Sequence, residues 1–388
     1  MMVPMSSPDL TEREVEAVLA VLRTPRLSMG PWLEAFEAGV AKRVGARHAI
    51  GVSSGTAGLH LAVRAASITD GDLVITTPFS FVASANVLLY ERAVPIFVDV
   101  DPQTGNLDPS LVEDAVHDLL HGGERAARRL PRRGVPPGPL KAILAVDAFG
   151  QPADYDRLVQ EARAHSLAVI EDSCEAFGAA YHARPAGRLG DVGVFAFYPN
   201  KQMTTGEGGV IVTDRDDWAE LMRSLRNQGR APGDTWLEHT HLGYNYRMDE
   251  MSAALGAAQL ERFDELQARR AQVAAWYEER IAEIAGAASL PIAATTTTMS
   301  WFVYVVRFEP GIDRAGVAAA LEAAGIPSRP YFTPIHLQPF YVERFGYREG
   351  DFPVAEDLGR RSLALPFSGV MTEAQVDEVC RALRAAVR

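Results

Sequence analysis

The chain has little cysteine and no excess of positive charge, and each of these absences argues against one class of protein. Its 388 residues include two cysteines, Cys174 and Cys380, which lie far apart and without the spacing of metal ligands. We therefore expect neither a metal site, a disulfide framework nor a cysteine-bound cluster, which fits a reducing cytoplasm. A formal net charge of -12 argues against a nucleic-acid surface, because phosphate backbones require a basic field.

Membrane and export signals are also missing. Residues 1–22 lack a basic segment followed by an apolar core. No apolar run elsewhere approaches the roughly 20 residues that cross a bilayer. We therefore expect a cytoplasmic protein that is neither exported by a standard signal nor inserted into a membrane.

Short apolar runs alternate with helical stretches over the first half of the chain. These runs are His48 to Val52, Leu73 to Thr77, Pro95 to Val100, Ala142 to Val146 and Leu167 to Ile170. Such alternation predicts a mostly parallel sheet with helices on both faces. Two further runs, Val192 to Phe197 and Gly209 to Thr213, are joined by a connection too short for a helical crossover, which predicts antiparallel or loop-linked strands. The sequence thus predicts an α/β fold on a mostly parallel seven-stranded sheet.

Helical patterns place the domain boundary. Thr11 and Glu14 form a capping-box pattern that opens an amphipathic helix. A long helical pattern from Asp249 to about Ile284 could bridge into a second unit. We expect a large domain over residues 1–260, including the N-terminal helix, and a smaller C-terminal α+β domain over residues 261–388. The predicted elements of the small domain are a strand from Phe302 to Phe308, a helix from about Arg314 to Ala324 and a closing helix from Thr372 to Val387.

The segment 121–138 is rich in arginine, glycine and proline. It contains a single acidic residue, Glu124, and five arginines: Arg125, Arg128, Arg129, Arg132 and Arg133. We interpret it as a solvated surface loop that need not be ordered, in preference to an anion-binding segment.

A glycine-containing turn, Ser53 to Ala57, follows the first predicted strand and opens a helix that runs to about Ala66. Free backbone N–H groups and the positive end of the helix dipole would face an anion there, which indicates a phosphate cradle. Serine and threonine also serve as ordinary helix caps, so the turn alone decides little. It matches neither the dinucleotide fingerprint nor the P-loop, which weakens dinucleotide binding and NTP hydrolysis.

Two acidic residues follow the apolar run that ends at Ile170. Glu171 and Asp172 thus stand at the carboxyl end of a predicted strand, where open α/β sheets place ligand groups. We expect one of the pair to point into the site. A carboxylate there could cap a helix, bind a metal or pair with the protonated pyridine nitrogen of a cofactor such as pyridoxal 5'-phosphate (PLP).

Lys201 lies between two predicted strands, in the segment FYPNKQMTTGEGG. An amine in a partly desolvated pocket loses proton affinity, and it can then serve as a nucleophile toward an aldehyde and later as a general base. A loop lysine taken alone is more often a solvated surface charge.

The order of these features resembles the aspartate-aminotransferase-like fold, PLP-dependent transferase fold type I. More narrowly, the chain resembles the nucleotide-sugar aminotransferases of the DegT/StrS family. The resemblance covers nearly the whole length and is carried by SSGTAGLHLA, TTPFSFVASAN, PIFVDVDPQTGNLD, IEDSCEAFGA, FYPNKQMTTGEGG, RNQGR, LGYNYRMDEMSAALGAAQL and PYFTPIHLQP. Several such motifs in family order are specific.

The resemblance implies roles for individual residues. Lys201 would hold PLP as a Schiff base and shuttle the proton between the substrate carbon and the cofactor. Asp172 would pair with the pyridine nitrogen, and the aromatic ring of Phe81 would stack on the cofactor. The alternative for Phe81 is a plain core residue.

The resemblance also implies how the phosphate is held. Gly55, Thr56 and Ala57 match the phosphate-contacting turn. Asn245 matches a residue that the family donates to the phosphate across a dimer interface. The expected assembly is therefore a homodimer with shared active sites.

The substrate side is less sharply defined. Arg230 in RNQGR, with Tyr331 and His336 in PYFTPIHLQP, are the candidate substrate-binding residues. A packing or surface histidine is an equal alternative for His336. Two positions depart from the family: Ala196 stands where a serine commonly contacts phosphate, and Glu175 stands near the cofactor where many members have glutamine.

The implied function is PLP-dependent transamination of a keto sugar that is nucleotide-linked in relatives, with L-glutamate as the amino donor. The alternatives are amination of a cyclitol ketone and a PLP-binding sensor or scaffold without turnover. Lys201 argues against the related dehydratases that carry histidine at this position. Radical dehydratases would also need an iron–sulfur cluster, for which two distant cysteines are insufficient.

Overall fold

The fold is known from a computed structural model that describes residues 3–134, 138–235 and 237–387. The strands are β1 (His48–Val52), β2 (Leu73–Thr76), β3 (Val94–Phe97), β4 (Leu140–Val146), β5 (Ala168–Asp172), β6 (Ala180–Tyr181), β7 (Arg184–Pro185), β8 (Val192–Ala196), β9 (Gly209–Thr213), β10 (Ala287–Ser289), β11 (Thr296–Thr298), β12 (Tyr304–Phe308) and β13 (Ser362–Leu365). The helices are α1 (Glu12–Leu22), α2 (Pro31–Val44), α3 (Gly55–Ala65), α4 (Ala83–Tyr90), α5 (Pro109–His121), α6 (Gly123–Arg129), α7 (Tyr155–Ala164), α8 (Asp216–Arg226), α9 (Glu250–Glu261), α10 (Phe263–Ile281), α11 (Arg314–Ala323), α12 (Pro339–Phe345), α13 (Pro353–Arg361) and α14 (Glu373–Ala386).

A seven-stranded sheet in the order β1-β9-β8-β5-β4-β2-β3 forms the centre of the molecule. The pairs from β8 through β3 are parallel. Strand β9 is antiparallel to both of its neighbours, β1 and β8. The predicted mostly parallel sheet and the antiparallel pairing of the last two runs are both confirmed.

Both faces of this sheet are covered, which explains why its strands are apolar without alternation. Neighbouring residues of β4 illustrate this arrangement. Ile143 packs on one side with Val116 of α5 and Leu158 of α7. Leu144 packs on the other side with helices α3 and α8. Successive side chains of the strand face opposite helical layers, so the side chains on both faces must be apolar.

A second, antiparallel sheet, β10-β12-β13, packs with α10, α11 and α14 around its own apolar cluster. This is the smaller C-terminal α+β unit that the sequence predicted. Helix α12 departs from that unit, since its Tyr341 and Phe345 belong to the core of the large sheet. The boundary between residues 260 and 261 stays a prediction. Among the described residues, no helix is both long enough and apolar enough to cross a bilayer.

The structure corrects the prediction of one continuous helix from Asp249 to about Ile284. Arg262 leaves helical geometry, with φ -109° and ψ 17°, and separates α9 from α10. Its guanidinium is buried against the carboxylates of Asp9 and Glu14, at 3.0 and 3.3 Å. Periodicity could not show this break, because apolar residues continue at helical spacing on both sides of it.

The interpretation of segment 121–138 as a loop is wrong for residues 123–129, which form α6. Two of the five arginines of segment 121–138 are paired with carboxylates: Arg129 Nε lies 2.9 Å from Asp118, and Arg132 donates two hydrogen bonds to Asp351. These carboxylates offset the repulsion that a run of like charges would otherwise cause. Residues 135–137 lie outside the described residues.

Candidate active site

A cavity of about 550 Å³ opens at the carboxyl ends of the central strands. This is where open α/β sheets bind their ligands. Seven residues predicted from the sequence line it: Gly55, Thr56, Phe81, Asp172, Glu175, Lys201 and Tyr331. They come from widely separated parts of the chain and meet only in the folded protein.

One wall of the cavity is the start of α3. Ser54 is the N-cap, and its hydroxyl accepts the amide N–H of Ala57 at 3.1 Å. The capping interpretation is therefore correct for Ser54, and Ala57 is buried behind the wall. The amides of Gly55 and Thr56 belong to the first turn and have no acceptor within the helix, so their N–H groups can donate to an anion. A Cβ at Gly55 would lie 2.7 Å from Ala196 Cβ and from Cys174 Sγ, so glycine is required by close approach.

The carboxyl end of β5 supplies the carboxylate. Asp172 Oδ2 accepts the hydroxyl of Ser84 at 2.5 Å, and Oδ1 accepts the amide of Cys174 at 3.2 Å. Strand alternation turns Glu171 the other way, where it accepts the amide of Gly187 at 2.8 Å. Burial and the nearby carboxylate of Asp147 raise the pKa of Glu171 to about 8. As expected, one of the acidic pair faces the cavity, and that residue is Asp172.

The predicted lysine lies in the cavity and not at the solvated surface. Lys201 Nζ lies 3.7 Å from Glu175 Oε1 and 3.8 Å from the centroid of the Phe302 ring. Its side chain is 13% exposed. The other Glu175 oxygen accepts the amide of Phe149 at 2.9 Å. Burial raises the pKa of Glu175, and the charge of Lys201 opposes this shift.

Aromatic side chains border the opening. Phe81 is 63% exposed although it lines the cavity, so it is not a core residue. Tyr331 is half-buried on another side, and burial raises its pKa to about 12. A planar ligand could therefore stack on an exposed aromatic face.

Besides Ala57, three predicted residues do not reach the cavity within this chain. His336 is fully buried, and its Nε2 lies 3.0 Å from Glu356 Oε1. This placement matches the alternative of a packing histidine and not contact with substrate. Arg230 is half-buried outside the lining, and Asn245 is exposed on a segment that pairs with Asn227.

Sequence reasoning missed three residues that shape the site. Ser84 holds Asp172, Phe302 covers Lys201, and Arg270 donates a hydrogen bond to the backbone carbonyl of Lys201. Ser84 falls inside the motif TTPFSFVASAN, which was a usable signal. The other two come from α10 and from the segment before β12, where no local pattern marks them.

Comparison with known proteins identifies the family. The model of the DegT/DnrJ/EryC1/StrS aminotransferase family matches residues 8–384. The chain belongs to this family. The resemblance predicted from the motifs is therefore confirmed, and the DegT/StrS aminotransferases are PLP-dependent enzymes.

Three relatives match this DegT/StrS chain over 98% or more of its length. The GDP-perosamine synthase of Caulobacter vibrioides is 39% identical over 384 residues, covering 98% of this chain and 97% of the relative. DesV of S. venezuelae, solved with a ketimine intermediate, has a TM-score of 0.87 at 33% identity and covers 100% of this chain and 99% of its own. PseC of Helicobacter pylori, an aminotransferase of pseudoaminic acid biosynthesis, has a TM-score of 0.89 at 26% identity, with coverage of 100% and 99%.

Proposed function

We propose that the protein is a PLP-dependent aminotransferase that moves an amino group from L-glutamate to a nucleotide-linked keto sugar. The observation that carries this proposal is that Lys201, Asp172 and the start of α3 surround one cavity. The relative named GDP-perosamine synthase supports a nucleotide-linked amino sugar as the product class.

The residues present fit PLP. The cofactor needs an amine for its aldehyde, a carboxylate for its ring nitrogen, anion donors for its phosphate and an apolar face for its ring. Lys201, Asp172, the amides at Gly55 and Thr56, and Phe81 match these needs in turn. The cavity volume of about 550 Å³ lies within the range of small-molecule sites.

Each of these groups has a separate task. When bound, PLP supplies an electron sink for the charge that develops at the reacting carbon. Asp172, whose carboxylate is anchored by Ser84, would pair with the ring nitrogen of the cofactor and favour its protonated form. The amine of Lys201 can accept and return the proton of the reacting carbon, and Phe302 partly shields it from water.

The phosphate end has one hydroxyl fewer than is common in the family. Ala196 lines the cavity at the position where a serine is usual. Within the chain, the amides of the α3 start and the hydroxyl of Thr56 remain as donors at this end, and Ser54 and Asn200 also line the cavity. We therefore propose that a donor from a second copy, Asn245, completes this end.

We propose a homodimer with shared active sites as the working form. In the single chain Asn245 is exposed, and neighbouring Leu242 is 82% exposed. Phe81 and Tyr198, on the rim of the cavity, are also exposed. These exposed apolar side chains are surface that a second copy of the chain would cover. Both cysteines are free thiols, which supports a cytoplasmic location.

The proposed function is tested in two stages. L-Glutamate should bleach the visible absorption of the purified, PLP-loaded protein, because the amino group passes to the cofactor. A panel of keto-sugar nucleotides should then restore the absorption and yield an amino sugar identifiable by mass spectrometry. Restoration by a free cyclitol ketone but by none of the sugar nucleotides would replace the proposed acceptor, and no bleaching by any amino acid would favour a PLP-binding sensor.

A further inference from the structure

A polar cluster around the buried His60 lies behind the segment that carries Asn245. We define this His60 cluster as His60, Arg64, Glu91, Tyr244 and Tyr246. His60 is 3% exposed, with Nδ1 3.0 Å from the Tyr246 hydroxyl and Nε2 2.8 Å from Glu91 Oε1. Arg64 donates to Glu91 at 2.7 Å, and the Tyr244 hydroxyl donates to Glu91 at 3.1 Å. None of these residues lines the cavity described above.

The hydrogen bonds of the cluster have a defined direction. Burial lowers the pKa of His60, so the ring is neutral at neutral pH and carries one N–H. Glu91 is a carboxylate that can only accept, so that N–H is on Nε2. Nδ1 must then accept the hydroxyl of Tyr246. Both tyrosine hydroxyls are therefore donors with fixed acceptors.

These contacts fix the side from which Asn245 projects. Tyr244 and Tyr246 stack at 5.0 Å between ring centroids, both against His60. The backbone between them is extended, since the carbonyl of Tyr244 accepts the amide of Gln228 at 2.8 Å and the amide of Tyr246 donates to Arg226 at 3.0 Å. In extended backbone, successive side chains point in opposite directions. With both tyrosines anchored inward, Asn245 must face outward.

The cluster also connects this segment to helix α3. His60 and Arg64 lie on α3, whose first residues form the phosphate wall of the same chain. The amide of Ser53, just before that wall, donates to the carbonyl of Tyr246 at 2.9 Å. Two roles are therefore physically open for the cluster: support of the wall in its own chain, or aiming of Asn245 toward another chain.

We propose that the His60 cluster is a positioning device that aims Asn245 into the active site of a second copy of the chain. This inference rests on the proposed shared site. The outward projection of Asn245 favours it, because the two anchoring hydroxyls act on the residues on each side of Asn245 and not on the wall itself. The cluster residues are positioning residues, since none of them lines the cavity.

The test removes one anchoring hydroxyl and measures whether PLP binding is weakened in the active site of the same chain or in that of the partner chain. Tyr246→Phe deletes the donor to His60 and keeps the ring, and Tyr244→Phe is the second variant if the first does not fold. Tyr90→Phe is the matched control, because Tyr90 contacts the His60 ring edge-on at 5.2 Å outside the hydrogen-bonded chain. Two differently tagged chains are co-expressed, and mixed dimers are purified. The readout is the PLP concentration at which borohydride fixes cofactor on Lys201 to half its maximum.

Lys201→Ala in one chain of the mixed dimer leaves a single site that contains Lys201. We call the Lys201→Ala chain the lysine-less chain and its partner the lysine-bearing chain. When Tyr246→Phe is placed on the lysine-less chain, the half-labelling concentration should rise about fivefold, the value of one hydrogen bond. On the lysine-bearing chain, the same change should alter it less than about twofold. Tyr90→Phe should have no effect in either place. An effect confined to the lysine-bearing chain, or no effect in either arrangement, overturns the inference.

Asn245→Ala placed in the same two arrangements separates the inference from the shared site on which it rests. If Asn245→Ala acts from the lysine-less chain while Tyr246→Phe does not, the shared site stands and only the positioning role is lost. If Asn245→Ala acts only from the lysine-bearing chain, or nowhere, both are overturned.

Discussion

At the scale of single residues, the chemistry depends on how the fold changes an ordinary lysine. Lys201 follows a tyrosine, a proline and an asparagine in a loop, and such a position normally leaves an amine in water. Here Phe302 covers the amine and Glu175 lies beside it. A partly desolvated amine with a buried carboxylate neighbour can serve both as a nucleophile and as a proton carrier.

This arrangement predicts where the cofactor is held. Borohydride treatment of the PLP-loaded protein should fix the cofactor on Lys201, as read by peptide mass spectrometry. Lys201→Ala should retain some PLP through the α3 start and Asp172, yet lose transamination by a factor of about 10² or more, because the proton carrier is gone. Cofactor fixed on a different lysine, or normal turnover by the variant, would refute the assignment.

Glu175 gives a prediction about stability. Its folded pKa is raised above the ordinary value of 4.5 by burial, so its contribution to stability is present while it is protonated and is lost as the pH rises through the folded pKa. Glu175→Gln keeps the acceptor for the Phe149 amide and does not titrate. For the cofactor-free proteins, the melting temperature of the variant minus that of the wild type should therefore increase as the pH rises from about 5 to about 8.

The control for this measurement is Glu322→Gln, which alters an exposed carboxyl on α11. Its melting temperature should follow that of the wild type across the same range. If Glu175→Gln instead loses ground as the pH rises, the attraction of Lys201 outweighs burial, and the direction of the shift given above is wrong.

At the scale of elements, the strands show what a sequence can predict. The predicted bounds of β1 and β9 agree with the observed bounds to the residue, because their apolar runs end where the strands end. The run Pro95 to Val100 was misplaced, since β3 ends at Phe97 while apolar residues continue into the next loop. Buried loops and buried strands share one composition, and only pairing partners distinguish them.

Site residues follow the same division. Gly55, Asp172 and Lys201 could be predicted because a helix start, a strand end and a motif mark them. Phe302 and Arg270 could not, because both reach the lysine from the C-terminal unit, Phe302 from the segment before β12 and Arg270 from α10. Their roles arise from contacts between elements distant in sequence, which no local pattern records.

The start of α3 carries a prediction at this scale. Gly55→Ala would place a methyl group 2.7 Å from Ala196 Cβ and Cys174 Sγ, both parts of neighbouring walls. The helix start must then shift outward, and overpacking of this kind costs about 1–3 kcal/mol. PLP binding, measured by equilibrium dialysis, should weaken about tenfold or more. Thr56→Ser keeps the hydroxyl and the backbone and is the control; equal weakening in both variants would contradict the steric explanation.

At the scale of the whole molecule, the proposed ligands and the protein carry charge of the same sign. A chain with a net charge of -12 gives no long-range attraction to a phosphorylated cofactor or a sugar nucleotide. Anion binding must come from short-range donors at a defined site. This requirement gives weight to each phosphate contact, and Ala196 leaves the chain one hydroxyl short at that position.

The last prediction is that two defective chains can restore each other. Asn245→Ala alone should weaken PLP retention by about one to two orders of magnitude, since a hydrogen bond to a charged group is worth about 1.5–3 kcal/mol. Lys201→Ala alone should be inactive. A mixed dimer contains one site with an intact Lys201 from the first chain and an intact Asn245 from the second. Glutamate-dependent bleaching should therefore return on mixing, once subunit exchange is verified with differently tagged chains.

The same mixing experiment can fail in two informative ways. If exchange occurs and no activity returns, Asn245 acts within its own chain or not at all. If the active wild-type protein sediments as a monomer, the shared site is excluded outright. In either case the exposed position of Asn245 and the 82% exposure of Leu242 would need an explanation other than a second copy of the chain. Restored activity would instead mean that the phosphate end, short of a hydroxyl within one chain, is completed only by assembly.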